Sequence, residues 1–278
     1  MKVQLEQVSH REQSFRVLQL ELRAFQGAWH RHPQAELTWI ESGQGLRFIG
    51  DDVAPFADDD LVLLGPNLPH VWLSPPEREG QPHRTTVLQF RSDLFAVNSV
   101  PEWLAVQALL ARAATGLAIT GPCKAQVIHV LRRMPAASDL VRLSLLLEVL
   151  GLLTQNPQAL KAIASSQSKG ALGTDQRIEA LIPWIQNELH RPLGIAEAAK
   201  RVHISPAAFS RFFRKNMGKA FTVYVNDMRC AEARVQLQST KRSIAQIAEA
   251  CGFQTLSHFN RQFRRRHGLT PRELRARL

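Results

Sequence analysis

Two histidines and a glutamate lie close together near the start of the chain, with the spacing His30-x-His32-(x)3-Glu36. In an extended strand, side chains an even number of residues apart point to the same face, so these three share one face. Histidines combined with a carboxylate form a good ligand set for a divalent transition metal. Another histidine, His70, follows the turn sequence Pro66-Asn67-Leu68-Pro69. The four side chains predict a site that binds a metal ion or a polar ligand.

Three interpretations of these four residues are open. The first, which we favour, is a pocket in which they hydrogen-bond a small-molecule effector without a metal. The second is a structural role, because histidine beside proline is common in turns. The third is a metal ion bound by all four. Further pocket candidates are side chains suited to stacking on, or hydrogen bonding to, a polyol or an anion: Trp29, Trp39, Arg47 and Trp72.

The residues around this cluster, 14–95, have the pattern of short strands joined by turns. Residues 16–23 alternate between apolar and polar side chains, as expected for a half-buried strand. The turn sequence Ser42-Gly43-Gln44-Gly45 and the breaker Gly65-Pro66 separate further apolar runs. Turn signals at intervals of about 8–12 residues predict an antiparallel sandwich or barrel.

From residue 102 onward the apolar period changes to that of a helix. We predict helices over 102–114, 124–133 and 139–153. The last of these is too apolar on all sides to be stable alone in water. Leucines recur along one of its faces at a spacing similar to that of a coiled coil: Leu143, Leu146, Leu147 and Leu150. This face either joins two subunits or packs within its own domain.

Charge is distributed unevenly along the chain. The 278 residues include 35 Lys and Arg against 24 Asp and Glu, a formal net charge of +11. Residues 1–170 contain 16 side chains of each sign, whereas residues 171–278 contain 19 basic and 8 acidic ones, so the whole excess (19 − 8 = 11) lies in the second part. This asymmetry favours a nucleic acid or a membrane surface as the partner of that part, over solvated charges on helix surfaces.

The composition excludes several classes of protein. A hydrophobic fraction of 45% is too high for a disordered chain. Three cysteines without a close pair exclude a disulfide scaffold and favour a reducing compartment. The sequence has no run of about 18 apolar residues and no apolar segment at its start. We therefore expect a cytoplasmic protein that has neither a membrane span nor a signal peptide.

The basic part of the chain contains an internal repeat. Residues 195–199 align with 244–248, and Phe209-x-Arg211-x-Phe213 aligns with Phe259-x-Arg261-x-Phe263 at an offset one residue longer. Each copy has a helix of small residues, a short turn and a second helix, which is the pattern of a helix-turn-helix unit. A long helix over 221–237 is expected to join the two copies.

The second helix of each copy is predicted to bind DNA. Phenylalanines four residues apart hold the helix on the core and leave its polar face outward. Arginine pairs with guanine and asparagine with adenine through two hydrogen bonds, and the helix N-termini favour phosphate. The predicted DNA-binding residues are Ser205, Ala207, Ser210, Arg211, Arg214, Thr255, Ser257, His258, Asn260, Arg261 and Arg264. If both helices enter one face of the duplex, they lie about 34 Å apart.

Residues 177–278 resemble the DNA-binding domain of the AraC/XylS-type transcriptional regulators. The matching motif is Ile244-Ala245-x-Ile247-Ala248-x-x-Cys251-Gly252-Phe253-(x)3-Ser257-His258-Phe259-x-Arg261-x-Phe263-(x)4-Gly268-x-Thr270-Pro271. The resemblance implies sequence-specific promoter binding and contact with RNA polymerase, usually as an activator. It also implies that outward residues of both second helices read bases, here Ala207, Ser210, Arg211, Ser257, Asn260 and Arg261.

The first part of the chain is similar to a cupin β-barrel. The spacing within 30–36 is similar to the first cupin motif, and Gly65-Pro66-(x)3-His70 is a partial match to the second, with Ser74 at the usual asparagine position. The resemblance implies that the barrel binds an effector, typically a sugar or another small organic molecule. The helices at 124–153 resemble the segment through which such regulators dimerise.

These patterns predict an α+β protein of two domains. We expect a cupin-like antiparallel β-barrel followed by helices at 1–160, a linker at 161–176, and an all-α domain with two helix-turn-helix units at 177–278. The predicted function is that of a homodimeric transcription regulator, not an enzyme, which binds double-stranded DNA, a small-molecule effector and RNA polymerase. The alternative is a metal-dependent cupin enzyme fused to a DNA-targeting domain.

Overall fold

Two antiparallel sheets form the first domain. The structure is a computed structural model, which describes residues 14–25, 29–74, 82–96, 100–165 and 176–277. The strands are β1 (Phe15–Leu22), β2 (Ala35–Ser42), β3 (Gly45–Ile49), β4 (Asp52–Phe56), β5 (Asp60–Leu64), β6 (His70–Leu73), β7 (His83–Phe90), β8 (Leu117–Ile119) and β9 (Leu160–Ala162). One sheet has the order β1-β7-β2-β5-β8-β9, and the other has the order β4-β3-β6.

The antiparallel strands are confirmed, whereas the closed barrel is not. The strands of the described residues form two separate sheets, with an isolated bridge between His30 and His70. Alternating side chains of β2 face different surroundings. Ile40 joins an apolar cluster with Ile49 and Trp72 of the smaller sheet, whereas Trp39 belongs to the cluster that contains the helices. The space between the sheets is therefore lined by one parity of each strand.

Three helices cover the outer face of the larger sheet. They are α1 (Trp103–Ala113), α2 (Gly121–Arg133) and α3 (Asp139–Gln155), close to the predicted ranges. Leu146 and Leu150 of α3 are 0% and 1% exposed, so this part of the predicted leucine face packs within its own domain. Leu140, Val141 and Leu147 remain exposed at 80%, 50% and 37%.

The predicted linker begins too early. Residues 160–162 form β9, which pairs with β8, and the amide of Ala164 donates to the carbonyl of Thr115 at 2.8 Å. Ser165 is bonded to Asp51 through both its amide and its hydroxyl, each at 2.9 Å. Residues 161–165 therefore belong to the first domain. The rest of the predicted linker up to residue 175 lies outside the described residues.

The second domain consists of seven helices within the described residues. They are α4 (Gln176–Asn187), α5 (Ile195–Arg201), α6 (Pro206–Met217), α7 (Phe221–Ser239), α8 (Ile244–Ala250), α9 (Leu256–His267) and α10 (Pro271–Arg275). Phe209 and Phe213 of α6 and Phe259 and Phe263 of α9 are 0% exposed, as the repeat predicts. The connecting helix α7 has 19 residues, which corresponds to a length of about 28 Å.

Local signals determine where the second helix of each copy begins and ends. The side chains of Ser205 and Thr255 accept hydrogen bonds from the amides of Ala208 and His258, so both act as N-caps. The turn before each N-cap contains a residue with positive φ. In the first copy this is His203 (φ 55°), and in the second it is the aligned Gly252 (φ 82°).

The smaller sheet is covered by the second domain. Leu46, Phe48, Val53 and Val71 of this sheet, together with Trp29, belong to one apolar cluster with residues of α4, α5, α6 and α7. Phe48 and Val53 are 0% exposed. Burial of such side chains is the dominant favourable contribution to association of the two domains. The two domains are therefore joined through an apolar core and not only through the chain.

Replacing Gly252 by alanine is expected to destabilise the second domain. A Cβ at this position would lie 2.0 Å from the carbonyl oxygen of Leu189. Gly268 provides a matched control, because it also has positive φ (73°) but nothing lies within 4 Å of its added Cβ. We expect a loss of unfolding free energy of about 1–2 kcal/mol for G268A and of more than about 3 kcal/mol for G252A, measured by chemical denaturation. Equal losses would contradict the close approach.

Candidate DNA interface and histidine cluster

The predicted DNA-binding residues form two exposed faces. On α6, Ala207, Ser210, Arg211 and Arg214 are all exposed, and on α9 the exposed set is Ser257, Arg261 and Arg264. Both N-caps, Ser205 and Thr255, are also exposed. Backbone amides and arginine side chains are therefore available to an external polyanion on both helices.

Two predicted residues of α9 are only partly accessible. Asn260 is half-buried, and His258 packs against the ring of Phe253 with a centroid distance of 5.7 Å. The amide group of Gln262 lies 3.2 Å from Nε2 of His258. Burial lowers the pKa of His258, and the positive charges of Arg261 and Arg229 lower it further. His258 is therefore neutral near pH 7 and contributes to packing as well as to the surface.

Arg265 is a basic residue of this surface that the sequence analysis omitted. It lines a shallow groove with Asn260, Arg261, Arg264 and Thr270. The run Arg264-Arg265-Arg266 in the sequence could have identified Arg265 as part of the basic surface. Helical periodicity places Arg265 four residues after Arg261, on the same outward face, and its side chain is exposed.

Arg229, on α7, links the two copies of the repeat. Its Nε donates to the carbonyl of Leu189 at 3.0 Å, and its Nη2 donates to the carbonyl of Arg191 at 2.6 Å. Its guanidinium also lies 5.9 Å from the ring centre of Phe253, in the turn of the second copy. The side chain is 8% exposed. The sequence analysis missed this role because Arg229 is one of many arginines in a basic region.

The three histidines meet in the first domain. The candidate ligand nitrogens of His30, His32 and His70 all lie within 4.8 Å of one another. Nε2 of His32 lies 2.9 Å from Oε2 of Glu36, and Nε2 of His70 lies 3.7 Å from Oε1. His32, Glu36 and His70 are buried, whereas His30 is half-buried. The structure therefore brings together the four residues that the spacing singled out.

Two further polar side chains hold the carboxylate of Glu36. Nε2 of Gln89 donates to Oε2 at 2.9 Å, and the hydroxyl of Thr38 donates to Oε1 at 2.5 Å. Burial acts to raise the pKa of Glu36, but electrostatic interaction with His70 and His32 and hydrogen bonds from His32 and Gln89 outweigh it and hold the pKa well below its usual range. Thr38 and Gln89 were missed by the sequence analysis, although the even spacing of Thr38 from Glu36 was a usable signal.

His70 has one free nitrogen directed into the cluster. Its Nδ1 donates to the carbonyl of Leu68 at 2.8 Å, which leaves Nε2 unprotonated in the neutral ring. Nε2 is buried and has no hydrogen-bond partner among the described residues. Burial lowers the pKa of His70 to about 3, so the ring is neutral at pH 7. A neutral imidazole with its other nitrogen bonded to a carbonyl is the form that binds a metal ion, so the residues present fit such an ion.

The remaining pocket candidates separate into two groups. Trp72 lies beside His70, with ring centroids 5.7 Å apart, and its Nε1 is buried without a partner among the described residues. Arg47 is the register partner of Trp72 on the neighbouring strand and is paired with both carboxylate oxygens of Asp60, at 2.5 and 2.6 Å. Trp39 faces the helices instead, because it is an odd number of residues from Glu36. Trp29 packs in the interdomain cluster.

Parts of the chain are similar to a known domain family and to known proteins. Residues 198–277 match a family described as "Helix-turn-helix domain". The chain is 35% identical over 113 residues to the "Uncharacterized HTH-type transcriptional regulator YpdC" of Escherichia coli (strain K12), covering 41% of this chain and 38% of that protein. It is 26% identical to the "HTH-type transcriptional activator RhaS" of Escherichia fergusonii, covering 92% of this chain and 91% of that protein. The chain thus spans well under half of the first relative.

A solved structure is also similar. It is the DNA-binding domain of AdpA, described as the global transcriptional factor, in complex with a target DNA. The two sequences are 28% identical, the match covers 37% of this chain and 93% of the AdpA chain, and the TM-score is 0.35.

Among the described residues, no helix combines the length and the apolar character that a membrane span needs.

The fold of residues 198–277 and the family match define a helix-turn-helix DNA-binding domain. Its type is that of the AraC/XylS transcriptional regulators, which confirms the resemblance predicted from the motif. The relatives named here are regulators, which supports the prediction that the chain is not an enzyme.

Proposed function

We propose that this protein is a sequence-specific transcription regulator that binds double-stranded DNA through α6 and α9 together. The observation that carries the proposal is the pair of recognition helices in an AraC-type domain, each with an apolar face in the core and an exposed polar face. The net charge of +11 that lies within residues 171–278 favours the same partner. Activation of transcription and contact with RNA polymerase remain predictions from the family resemblance.

The direct test is binding to a duplex selected from a random library by the full-length protein. At physiological salt, the selected duplex is expected to bind at least about 1,000-fold more tightly than a scrambled duplex of the same length. R261A is expected to lose about 1–3 kcal/mol on the selected duplex and to relax the preference at one position. R133A removes an exposed arginine of α2 and is the control, expected to bind as the wild type does. Equal affinity of the wild type for both duplexes would contradict the proposal.

The ligand that we propose for the first domain is a small polyhydroxylated molecule such as a sugar. The support comes from two buried polar atoms, Nε1 of Trp72 and Nε2 of His70, in rings whose centroids lie 5.7 Å apart; neither atom has a hydrogen-bond partner among the described residues. The first is a donor and the second an acceptor. A hydroxyl group both accepts and donates, so neighbouring hydroxyls would satisfy both atoms. The Arg47–Asp60 pair offers a further charged edge for hydrogen bonding.

A divalent transition metal is the second candidate ligand. It is favoured by the three clustered histidines and by the free nitrogen of His70. His30, His32 and His70 would hold the ion, with Glu36 beside them. A bound ion would supply positive charge to an effector or would brace the two sheets.

Thermal unfolding distinguishes these ligands. A ligand at 100 times its Kd adds about 2.7 kcal/mol to the stability of the folded state, which raises Tm by several degrees. We expect either sugars and polyols, or Zn²⁺, to raise the Tm of the wild type. The same ligand should have little effect on the Tm of H70Q. The control is H129Q, which alters an exposed histidine of α2 and should respond as the wild type does. A response that H70Q retains in full would place the ligand elsewhere.

We further propose a homodimer that forms through the exposed face of α3. Leu140, Val141 and Leu147 are the side chains of that face that remain uncovered. Sedimentation velocity is expected to give the mass of two chains for the wild type and of one chain for the double variant L140E/L147E. L256E, which alters an exposed leucine of α9, is the control. A dimer that persists in L140E/L147E would contradict this surface.

A further inference from the structure

One corner of the first domain lies at the C-terminal ends of both recognition helices. It is formed by Asp51, in the turn between β3 and β4, and by Asp52, the first residue of β4. The guanidinium of Arg266, in the last turn of α9, donates to the carboxylate of Asp52 and, at 2.8 Å, to the carbonyl of Val53. Asp51 lies against Gly218, the C-cap of α6, where an added Cβ would be 3.4 Å from the Cβ of Asp51. Asp52 therefore binds the C-terminal end of α9, and Asp51 lies beside the C-terminal end of α6.

The turn is held firmly in its own domain. The carboxylate of Asp51 accepts hydrogen bonds from the amide and hydroxyl of Ser165, both at 2.9 Å. The amide of Gly50 donates to the carbonyl of Pro69 at 2.9 Å. Phe48 and Val53, on either side of the turn, are fully buried in the interdomain cluster. Such a turn acts as a rigid spacer and not as a tether.

The contact leaves the DNA-binding faces uncovered. Arg266 lies three residues after the buried Phe263, on the side of α9 opposite Arg261 and Arg264, which remain exposed. On α6, the contact is with the C-cap, while Ser210 and Arg211 are exposed. The first domain thus holds the two helices from behind without blocking their access to a duplex.

We propose that Asp51 and Asp52 are positioning residues, which set the distance and angle between α6 and α9 and thereby the spacing between the two DNA segments that the protein reads. This inference rests on the proposed DNA-binding function. Within the second domain, α7 and Arg229 already link the two copies. The aspartate turn adds a second link, and two separated links restrict a relative rotation that one link permits.

The test measures how strongly the affinity for DNA depends on the spacing between the two DNA segments. A duplex is first selected from a random library with the full-length wild type. Derivatives then carry one base pair inserted or deleted between the two segments, which displaces one segment by about 3.4 Å and rotates it by about 35°. The wild type is expected to lose about tenfold in affinity on either derivative, which is the scale of one mismatched base pair. D52N is expected to lose less than about threefold relative to its own affinity for the parent duplex.

Matched variants separate this effect from loss of charge or of folding. D93N removes an exposed aspartate that pairs with Arg91 within the first domain, and it should keep the wild-type penalty. R266Q breaks the same contact from the other side and should relax the penalty as D52N does, which covers the case in which D52N folds poorly. The exchange D52R/R266D should restore the penalty.

The outcomes distinguish this inference from the function on which it rests. If the wild type selects no duplex, the DNA-binding function fails and the inference fails with it. If the wild type selects a two-segment duplex and both D52N and R266Q keep the wild-type penalty, only the positioning role is overturned. A relaxed penalty in both variants, unchanged in D93N, supports it.

Discussion

The relative position of α6 and α9 depends first on the long helix α7. Both recognition helices pack their phenylalanines against cores to which α7 contributes, through Phe221 and Tyr224 for the first copy and Ala233 and Leu237 for the second. Arg229, buried in the middle of α7, donates to the carbonyls of Leu189 and Arg191, which lie between α4 and α5. A buried guanidinium without these acceptors would carry a large desolvation cost, so the contact restricts how the copies are arranged.

The smaller sheet connects this arrangement to the histidine cluster. In β6, His70 and Trp72 face the space between the sheets, whereas Val71 faces the helices of the second domain. His70 is also the register partner of Ile49, which directly precedes the turn that carries Asp51 and Asp52. A single layer of strands therefore separates the candidate ligand site from the interdomain core. A ligand that moved His70 or Trp72 would therefore act on the contacts of the recognition helices through this layer.

Much of the second domain was predictable from the sequence because its signals are local. The paired phenylalanines, the N-caps Ser205 and Thr255, and the turn at Gly252 each depend on neighbours within a few residues. The meeting of His30, His32 and Glu36 was predicted, but strand parity explains only the position of Glu36, because β2 begins at Ala35 and both histidines precede it. Trp39 was misplaced although the same parity rule excludes it from that face.

Other features depend on contacts between residues far apart in the sequence. Nothing in the run Arg264-Arg265-Arg266 distinguishes Arg266, yet it alone of the three bonds Asp52, more than 200 positions earlier. The leucines of α3 have the period of a helix, but this period does not show whether they pack against the sheet of their own domain or against a second subunit. Leu146 and Leu150 pack in the core of their own domain. The end of the first domain was missed because β9 has only three residues.

The proposed DNA-binding mode requires the coupled helices α6 and α9 to read one face of a duplex together. Hydroxyl-radical footprinting of the full-length protein on a selected duplex measures this directly. We expect two protected segments on the same face, with centres about 10 base pairs apart. A single protected segment, or uniform protection that does not depend on sequence, would contradict it.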